Sequence, residues 1–319
     1  MGASHKLMRP DGAPAHSMGV SETVRRAFQS GLPMVPGMEP HLAGVLDQTL
    51  NHPGNLIRAR LVYQVSRLYA LEEAVAVDLA VAIEYFHTAS LLFDDLPCMD
   101  DAVERRGVAC AHKRFGEGAA VLGALALINR AYGLLWRAIN RASSPDRLAA
   151  VELVENCLGH QGVLNGQSYD LHFSPRARSG REVLHVAMGK TVALIRLTLV
   201  LPALLGRGTS VEVLLLKRLA VFWGLSYQML DDLKDLLATS RTSGKTSRRD
   251  ALLNRPNLAL MVGAKSTLSR LRRLAGLGNE SLEQLLGLSS QWGFLSELRL
   301  RLTTELAHFS RLAGRLPGS

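Results

Sequence analysis

The chain has 319 residues, 47% hydrophobic and 20% charged, with 37 basic residues against 28 acidic ones for a net charge of +9. This is a globular composition, long enough for one large or two ordinary domains. The positive balance suits an anionic ligand, but no basic stripe with interleaved aromatics accompanies it, so no nucleic-acid partner is expected.

Residues 1–36, opening MGASHKLMRPDGAPAHSMGV, read as a loose Gly/Pro-containing tail without the continuous apolar core of a signal peptide. Residues 37–319 form the expected domain. Leu and Ala are abundant and aromatics scarce at 5%, a balance that favours helix over sheet. Apolar residues recur at three- and four-residue intervals over 57–71, 75–93, 181–206 and 211–237, which predicts long helices, several apolar nearly all round. Breaks fall at NHPGN, RASSPDR, HFSPRARSG, GRGTS and ATSRTSGKTSRRD. With no alternating run bounded by hairpin turns and no repeat of fixed period, the expectation is one all-α bundle. The run AAVLGALALIN is short, and TVALIRLTLVLPALLG is interrupted by Arg196 and Pro202, so no stable membrane insertion is expected. Cys98, Cys110 and Cys157 show neither metal-type pairing nor a disulfide framework, which points to a reducing, cytosolic setting.

Two acidic clusters stand out. SLLFDDLPCMDDAVERRG, residues 90–107, crowds Asp94, Asp95, Asp100 and Asp101 together and follows them with Arg105 and Arg106. On an ideal helix Asp94 and Asp100 would be rotated well apart. Pro97 between them cannot continue the helical ladder, so a local distortion could return Asp100 toward Asp94. The second cluster, YQMLDDLKDL, holds Asp231, Asp232 and Asp235, and Asp231 and Asp235 share one helix face. Carboxylates one turn apart among apolar neighbours can chelate Mg²⁺, which completes its shell with water and phosphate oxygens. A solvated acidic face with Lys234 as partial counter-charge is the plainer alternative for the second cluster alone.

DDLPCMDD followed by RRG resembles the first aspartate-rich motif of the trans-isoprenyl diphosphate synthases, in the variant with two extra residues. DDLKD resembles the second motif. FHTAS (86–90), HKRFGE (112–117), GQSYDL (166–171), GKT (189–191) and Gly244-Lys245 with Asp250 fall in the family order. The resemblance implies an all-α bundle of the isoprenoid synthase type around a central cavity, with Mg²⁺ as cofactor and prenyl diphosphates as substrates. By similarity Asp94, Asp100 and Asp231 would be the main metal ligands, with Asp95, Asp232 and Asp235 in or near the shell. Arg105, Lys190 and Lys245 would contact the allylic diphosphate beside Thr191, and Gln228 and Asp170 would support the metal site. Lys190, Gln228, Asp94 and Asp231 are thus the implied catalytic set. A homodimer is implied as well.

The second substrate, isopentenyl diphosphate, would meet Arg58, His87 and Arg106. Here the pattern departs: HPGNLIRARL places Asn55 where the family has a lysine and Leu56 where an arginine often stands. Asn can donate to phosphate, but a neutral donor is the weaker partner. Leu125, Phe93, Ala102 and Val103 also depart, and Arg255 replaces a later lysine while keeping its charge. Three activities follow: chain elongation, which the remaining cations favour; a class I terpene synthase that ionises a finished prenyl diphosphate; and a weakly active partner subunit. If chains are elongated, Ala89 and Ser90 leave the tunnel floor before the first motif without an aromatic, and the resemblance implies a mainly C20 product. The basic loop SRTSGKTSRR is expected as a lid over the diphosphate, with a membrane-surface contact and a plain solvated loop as the alternatives.

Overall fold

The computed structural model describes residues 15–173, 179–237 and 249–314. Its helices are α1 Ala15–Ser30, α2 Pro40–Asn51, α3 Ile57–Leu68, α4 Glu73–Asp94, α5 Ala111–Phe115, α6 Glu117–Arg141, α7 Arg147–Leu158 and α8 Val163–Leu171. They continue as α9 Gly180–Ala187, a π turn Met188–Val192, α10 Ala193–Leu205, α11 Ser210–Leu237, α12 Arg249–Leu252, α13 Leu258–Val262, α14 Ala264–Leu288 and α15 Ser296–Ala313. The architecture is the all-α bundle expected from the 3.6-residue periodicity.

Long helices form where apolar residues cover most of the surface, because such helices gain most from burial on several sides. The largest core cluster joins α1, α3, α4, α6, α7 and α10 around Leu79, Ile83, Leu127, Leu135, Leu197 and Leu201. A second lies between α10, α11 and α14 around Leu216 and Trp292. A third lies beneath the C-terminal half of α11, around Met229, Leu233, Leu258 and Leu271.

Four expectations need correction. Part of the stretch read as a tail is structural: Val24 and Phe28 of α1 are buried in the largest core, and Tyr85 Oη donates to Phe28 O at 2.6 Å. A strand pair also exists, β1 Glu104–Arg105 with β2 Val108–Ala109, closed by Arg106 and Gly107 at φ 56° and 81°. Those two positive φ values are the requirement of a two-residue hairpin turn, which four strand residues are too few to signal by alternation. The run AAVLGALALIN belongs to the 25-residue α6, and α10 continues through Pro202 to Leu205. By length and composition α4, α6, the stretch from α9 through α10, and α11 could each cross a bilayer. Here they bury much of that surface in the bundle, and Arg137 of α6 donates to buried Asp78 of α4 at 2.6 Å.

Candidate active site

The first acid cluster sits where α4 stops. Pro97 disfavours helical backbone in the residue before it and offers no N–H, so α4 ends at Asp94 rather than kinking onward. The chain then folds back: the Asp100 N–H donates to Asp94 O at 2.9 Å, and the Ala102 N–H to Asp95 O at 3.1 Å. The return of Asp100 toward Asp94 is therefore achieved by a tight turn.

Each carboxylate of this cluster has its own partner. Asp94 Oδ1 accepts from Gln167 Nε2 of α8 at 2.8 Å, and burial raises its carboxyl against the opposing pull of Lys190. Buried Asp95 takes Arg105 from β1, whose Nε lies 2.8 and 2.9 Å from its two oxygens. Arg105 is thus engaged by the protein. Asp101 accepts from Lys113 Nζ at 3.0 Å. Asp100 accepts from Arg255 Nη2 at 3.0 Å.

Lys190 projects from the π turn between α9 and α10. An extra residue in a helical turn re-aims its side chains. Gly166 and Gly189 meet backbone to backbone, and a Cβ on either would collide with the facing chain, so α8 is pressed against that turn. Lys190 Nζ therefore reaches Asp170 of α8 at 2.7 Å, with Asp94 as a further opposite charge. Thr191 Oγ1 donates to Gln228 Oε1 at 2.7 Å, tying the same turn to α11.

The second cluster divides by burial. Asp231 is exposed and Asp235 half-buried. Asp232 is only 1% exposed: its Oδ1 accepts from Gln228 Nε2 at 3.0 Å and its Oδ2 from the Leu258 N–H at 2.8 Å. Burial pushes its carboxyl up to about 7. Both of its oxygens accept hydrogen bonds from the protein, so Asp232 anchors the chain entering α13. Asp250 is also pushed up, to about 6, by burial, against the Asn257 hydrogen bond and with Asp235, Asp231 and Asp170 as like-charged neighbours. Asp170 acts on both Asp94 and Asp250, so the two clusters share one electrostatic neighbourhood.

A second group of cations adjoins the first cluster, with Asp95 and Arg105 lining the same cavity as Arg106. Arg106, at the hairpin tip, lays its guanidinium against Gly54 and donates through Nη1 to His52 O at 3.1 Å. Arg58 stands in the first turn of α3, with its buried Nε unpartnered among the described residues. Between them, Glu84 is 2% exposed and accepts from the Ala59 N–H at 3.1 Å, capping α3 from α4. Burial raises Glu84, with Arg58 the largest opposing charge. His87, one turn along α4, is pushed down to about 2, first by burial and then by Arg58, Arg106 and Arg105. A cavity of about 50 Å³ lined by Gln48, Thr49, His52, Thr88, Arg105 and Arg106 opens beside this group.

Asn55 is exposed and its Oδ1 accepts from the Ile57 N–H at 3.3 Å, a local cap for α3. Leu56 is buried in the largest core at φ 51°. The departed motif therefore spends one position on a helix start and the other on the core. Ala89 is fully buried in that same core, and Ser90 Oγ donates to His87 O at 2.8 Å. Lys245 and the basic loop around it lie outside the described residues. Sequence reading missed Gln167, Glu84 and Asn257. A single Gln or Asn has no signal of its own, whereas Glu84 inside the apolar AVAIEYFHTAS was a visible buried charge.

The donor set is all oxygen and suits Mg²⁺. Among the described residues no three His, Cys, Asp or Glu side chains converge closely enough to hold an ion. The carboxylates fit the metal in kind, and Asp94, Asp100 and Asp170 are each held by a protein amide or cation.

The all-α fold around these clusters is that of the isoprenoid synthases. The chain belongs to the polyprenyl synthetase family, whose description matches residues 39–285. It is 35% identical over 243 residues to geranylgeranyl pyrophosphate synthase 11, chloroplastic, of Arabidopsis thaliana, covering 74% of this chain and 67% of that one. It is 33% identical over 278 residues to the heterodimeric geranylgeranyl pyrophosphate synthase large subunit 1, chloroplastic, of the same plant, covering 85% and 73%. Among solved structures, the geranyltransferase of Helicobacter pylori complexed with magnesium and isoprenyl diphosphate superposes with a TM-score of 0.79. That match covers 94% of this chain and all of that one at 22% identity, and it establishes the fold.

Proposed function

We propose that the protein is a trans-prenyltransferase that condenses an allylic prenyl diphosphate with isopentenyl diphosphate, giving mainly a C20 product. Family membership and the named relatives support prenyl transfer. The observation that supports elongation is the grouping of Arg58, Arg106 and His87 about buried Glu84, beside a cavity of about 50 Å³ where a second diphosphate would find cations of its own.

Asp94, Asp100, Asp231 and Asp235 would hold Mg²⁺, while Asp95 and Asp232 brace Arg105 and the entry to α13. Held there, the metal would supply positive charge to the leaving diphosphate. Lys190, anchored on Asp170, offers its ammonium to the same oxygens, and Thr191 and Gln228 fix the π turn that presents it. Departure of the diphosphate with the C–O electron pair leaves an allylic cation, which the apolar faces of the bundle shelter from water. Arg58 and Arg106 bind the isopentenyl diphosphate. His87, held neutral, adds a hydrogen-bonding group without further charge. Ala89 and Ser90 set the tunnel floor. We further propose a homodimer and a cytosolic setting.

A second reading, a class I terpene synthase, is favoured by the use of Asn55 and Leu56 for structure instead of charge. The deciding experiment supplies purified protein with Mg²⁺ and farnesyl or geranylgeranyl diphosphate alone. Dimethylallyl, geranyl and farnesyl diphosphates are then each tested with labelled isopentenyl diphosphate. Label in a longer diphosphate is the expected result. Hydrocarbon or alcohol formed without isopentenyl diphosphate would replace this reading by the second.

A further inference from the structure

The segment from Asp250 to Leu258 touches both acid clusters. At one end it is stapled to α11: the Leu258 N–H donates to Asp232 Oδ2 at 2.8 Å, and Asn257 Nδ2 to Asp232 O at 3.2 Å and Asp250 Oδ2 at 2.8 Å. Asn257 also caps α13 by accepting from the Leu260 N–H at 3.0 Å. Two residues earlier, Arg255 crosses to the first cluster. Its Nη2 donates to Met99 O at 2.8 Å and Asp100 Oδ1 at 3.0 Å, and its Nη1 to Asp170 O at 3.3 Å. The backbone between is fixed by the Arg255 N–H on Asp250 O at 2.8 Å.

We infer that Asp232, Asn257 and Arg255 form a bracket that sets the spacing of the two acid clusters, with the Arg255 guanidinium occupying Asp100 until a metal-bound diphosphate takes that carboxylate from it. The inference rests on the prenyl-transfer reading and deepens it. Three features lead to it. Arg255 is almost fully buried among carboxylates, where an arginine is retained only if it is paired. Its fork spans three acceptors on two chain segments, a reach that a lysine point charge lacks. Its Nε is buried without a hydrogen bond among the described residues and stands 3.9 Å from Asp170 Oδ2, so the guanidinium keeps donor capacity after the pairing with Asp100. When Asp100 turns to a cation, the Nη2 that held it is released beside the incoming anion. The swap keeps the local charge balanced: the carboxylate exchanges one cation for another, and the guanidinium exchanges a carboxylate for a phosphate.

Asp232 and Asn257 are positioning residues in this scheme, since they touch Arg255 only through the segment they hold. Their loss should move Arg255 as well as loosen α13.

The test measures binding and melting on the intact chain, with Mg²⁺ and inorganic pyrophosphate as probes. Arg255→Gln should lower the unliganded melting temperature. It should also reduce several-fold the Mg²⁺ concentration needed for half-maximal binding by calorimetry, because Asp100 no longer has to leave a guanidinium. Arg255→Lys, charged but without the fork, should fall between Gln and wild type and serves as the working variant if Gln does not fold. Asn257→Ala should shift the Mg²⁺ midpoint in the same direction as Arg255→Gln, which a role confined to capping α13 would not do. Equal Mg²⁺ midpoints in wild type and all three variants would overturn the bracket while leaving prenyl transfer intact. A wild-type chain indifferent to Mg²⁺ and pyrophosphate would overturn the functional reading, and the bracket with it.

Discussion

The two halves of the site handle charge in opposite ways. Around Asp94, Asp100 and Asp170 every carboxylate comes with a cation or an amide, and Lys190 and Arg255 are in turn surrounded by acids. Around Arg58 and Arg106 the balance tilts positive: the two arginines and a neutral histidine gather about buried Glu84, while the neighbouring Arg105 is paired with buried Asp95. A half that takes metal with its substrate can be neutral beforehand, because cation and anion arrive together. A half that takes a bare diphosphate must hold positive charge in reserve, and one buried carboxylate keeps that reserve from forcing the arginines apart.

This contrast can be broken most forcefully on the acid side. Asp94→Asn keeps the Gln167 contact available but removes a charge that the metal needs, and kcat should fall about 10²–10³-fold. Steady-state assay across Mg²⁺ concentrations checks it; a wild-type kcat with an unchanged Mg²⁺ dependence would show that Asp94 is not a ligand. On the other side, Arg58→Gln removes charge-assisted hydrogen bonds worth about 1.5–3 kcal/mol. KM for isopentenyl diphosphate should rise about 10–100-fold, with KM for the allylic substrate nearly unchanged. Equal increases for both substrates would dissolve the two-site division.

Stability against pH gives a subtler view of the same contrast. His87 is pushed down to about 2, whereas an unfolded histidine titrates near 6.5. Its contribution is present above pH 6.5 and lost as pH falls, at about 1.4 kcal/mol per pH unit. Asp232 works in the other direction. Its carboxyl is raised to about 7, so its contribution is present at low pH and lost as pH rises from the unfolded value of about 4 through 7. Urea unfolding at pH 5, 6 and 7 should show His87→Gln losing less stability on acidification than wild type, and Asp232→Asn gaining less from it. A His87→Gln slope equal to wild type would mean that the histidine is not held neutral.

The sequence made these halves visible to unequal degrees. The crowding of Asp94, Asp100 and Asp231 with their acidic neighbours was visible in the sequence, and the long helices were legible from period alone. The division of labour within each cluster was not, because Asp94 and Asp95, or Asp231 and Asp232, are chemically identical until burial separates them. Asp95 and Asp232 turn inward to Arg105 and the Leu258 N–H, contacts made across 10 and 26 residues of chain. The π turn under Lys190 was hidden too, since a single extra residue inside GKTVALIR leaves the apolar pattern intact. α1 was misread because the glycines and prolines before and after it suggested a tail, while Val20, Val24 and Phe28 sat at helical spacing throughout.

The smallest expected effect tests whether the positive half is short of charge. Asn55→Lys restores the cation that the family pattern has there, on an exposed position beside Gly54 and the Arg106 guanidinium. A flexible exposed cation contributes about 0.2–1 kcal/mol, so KM for isopentenyl diphosphate should fall about two- to fivefold. The same change removes the Asn55 cap on the Ile57 N–H, which costs about 0.5–1 kcal/mol of stability. A lower KM paired with a lower melting temperature is therefore the expected signature, and it would show why asparagine is tolerated: the position serves the start of α3 as well as the phosphate. An unchanged KM with the same loss of stability would mean that Arg58 and Arg106 already saturate the diphosphate. The reserve of charge in this half would then be complete without the lysine, and the terpene synthase reading would lose the departure that supports it.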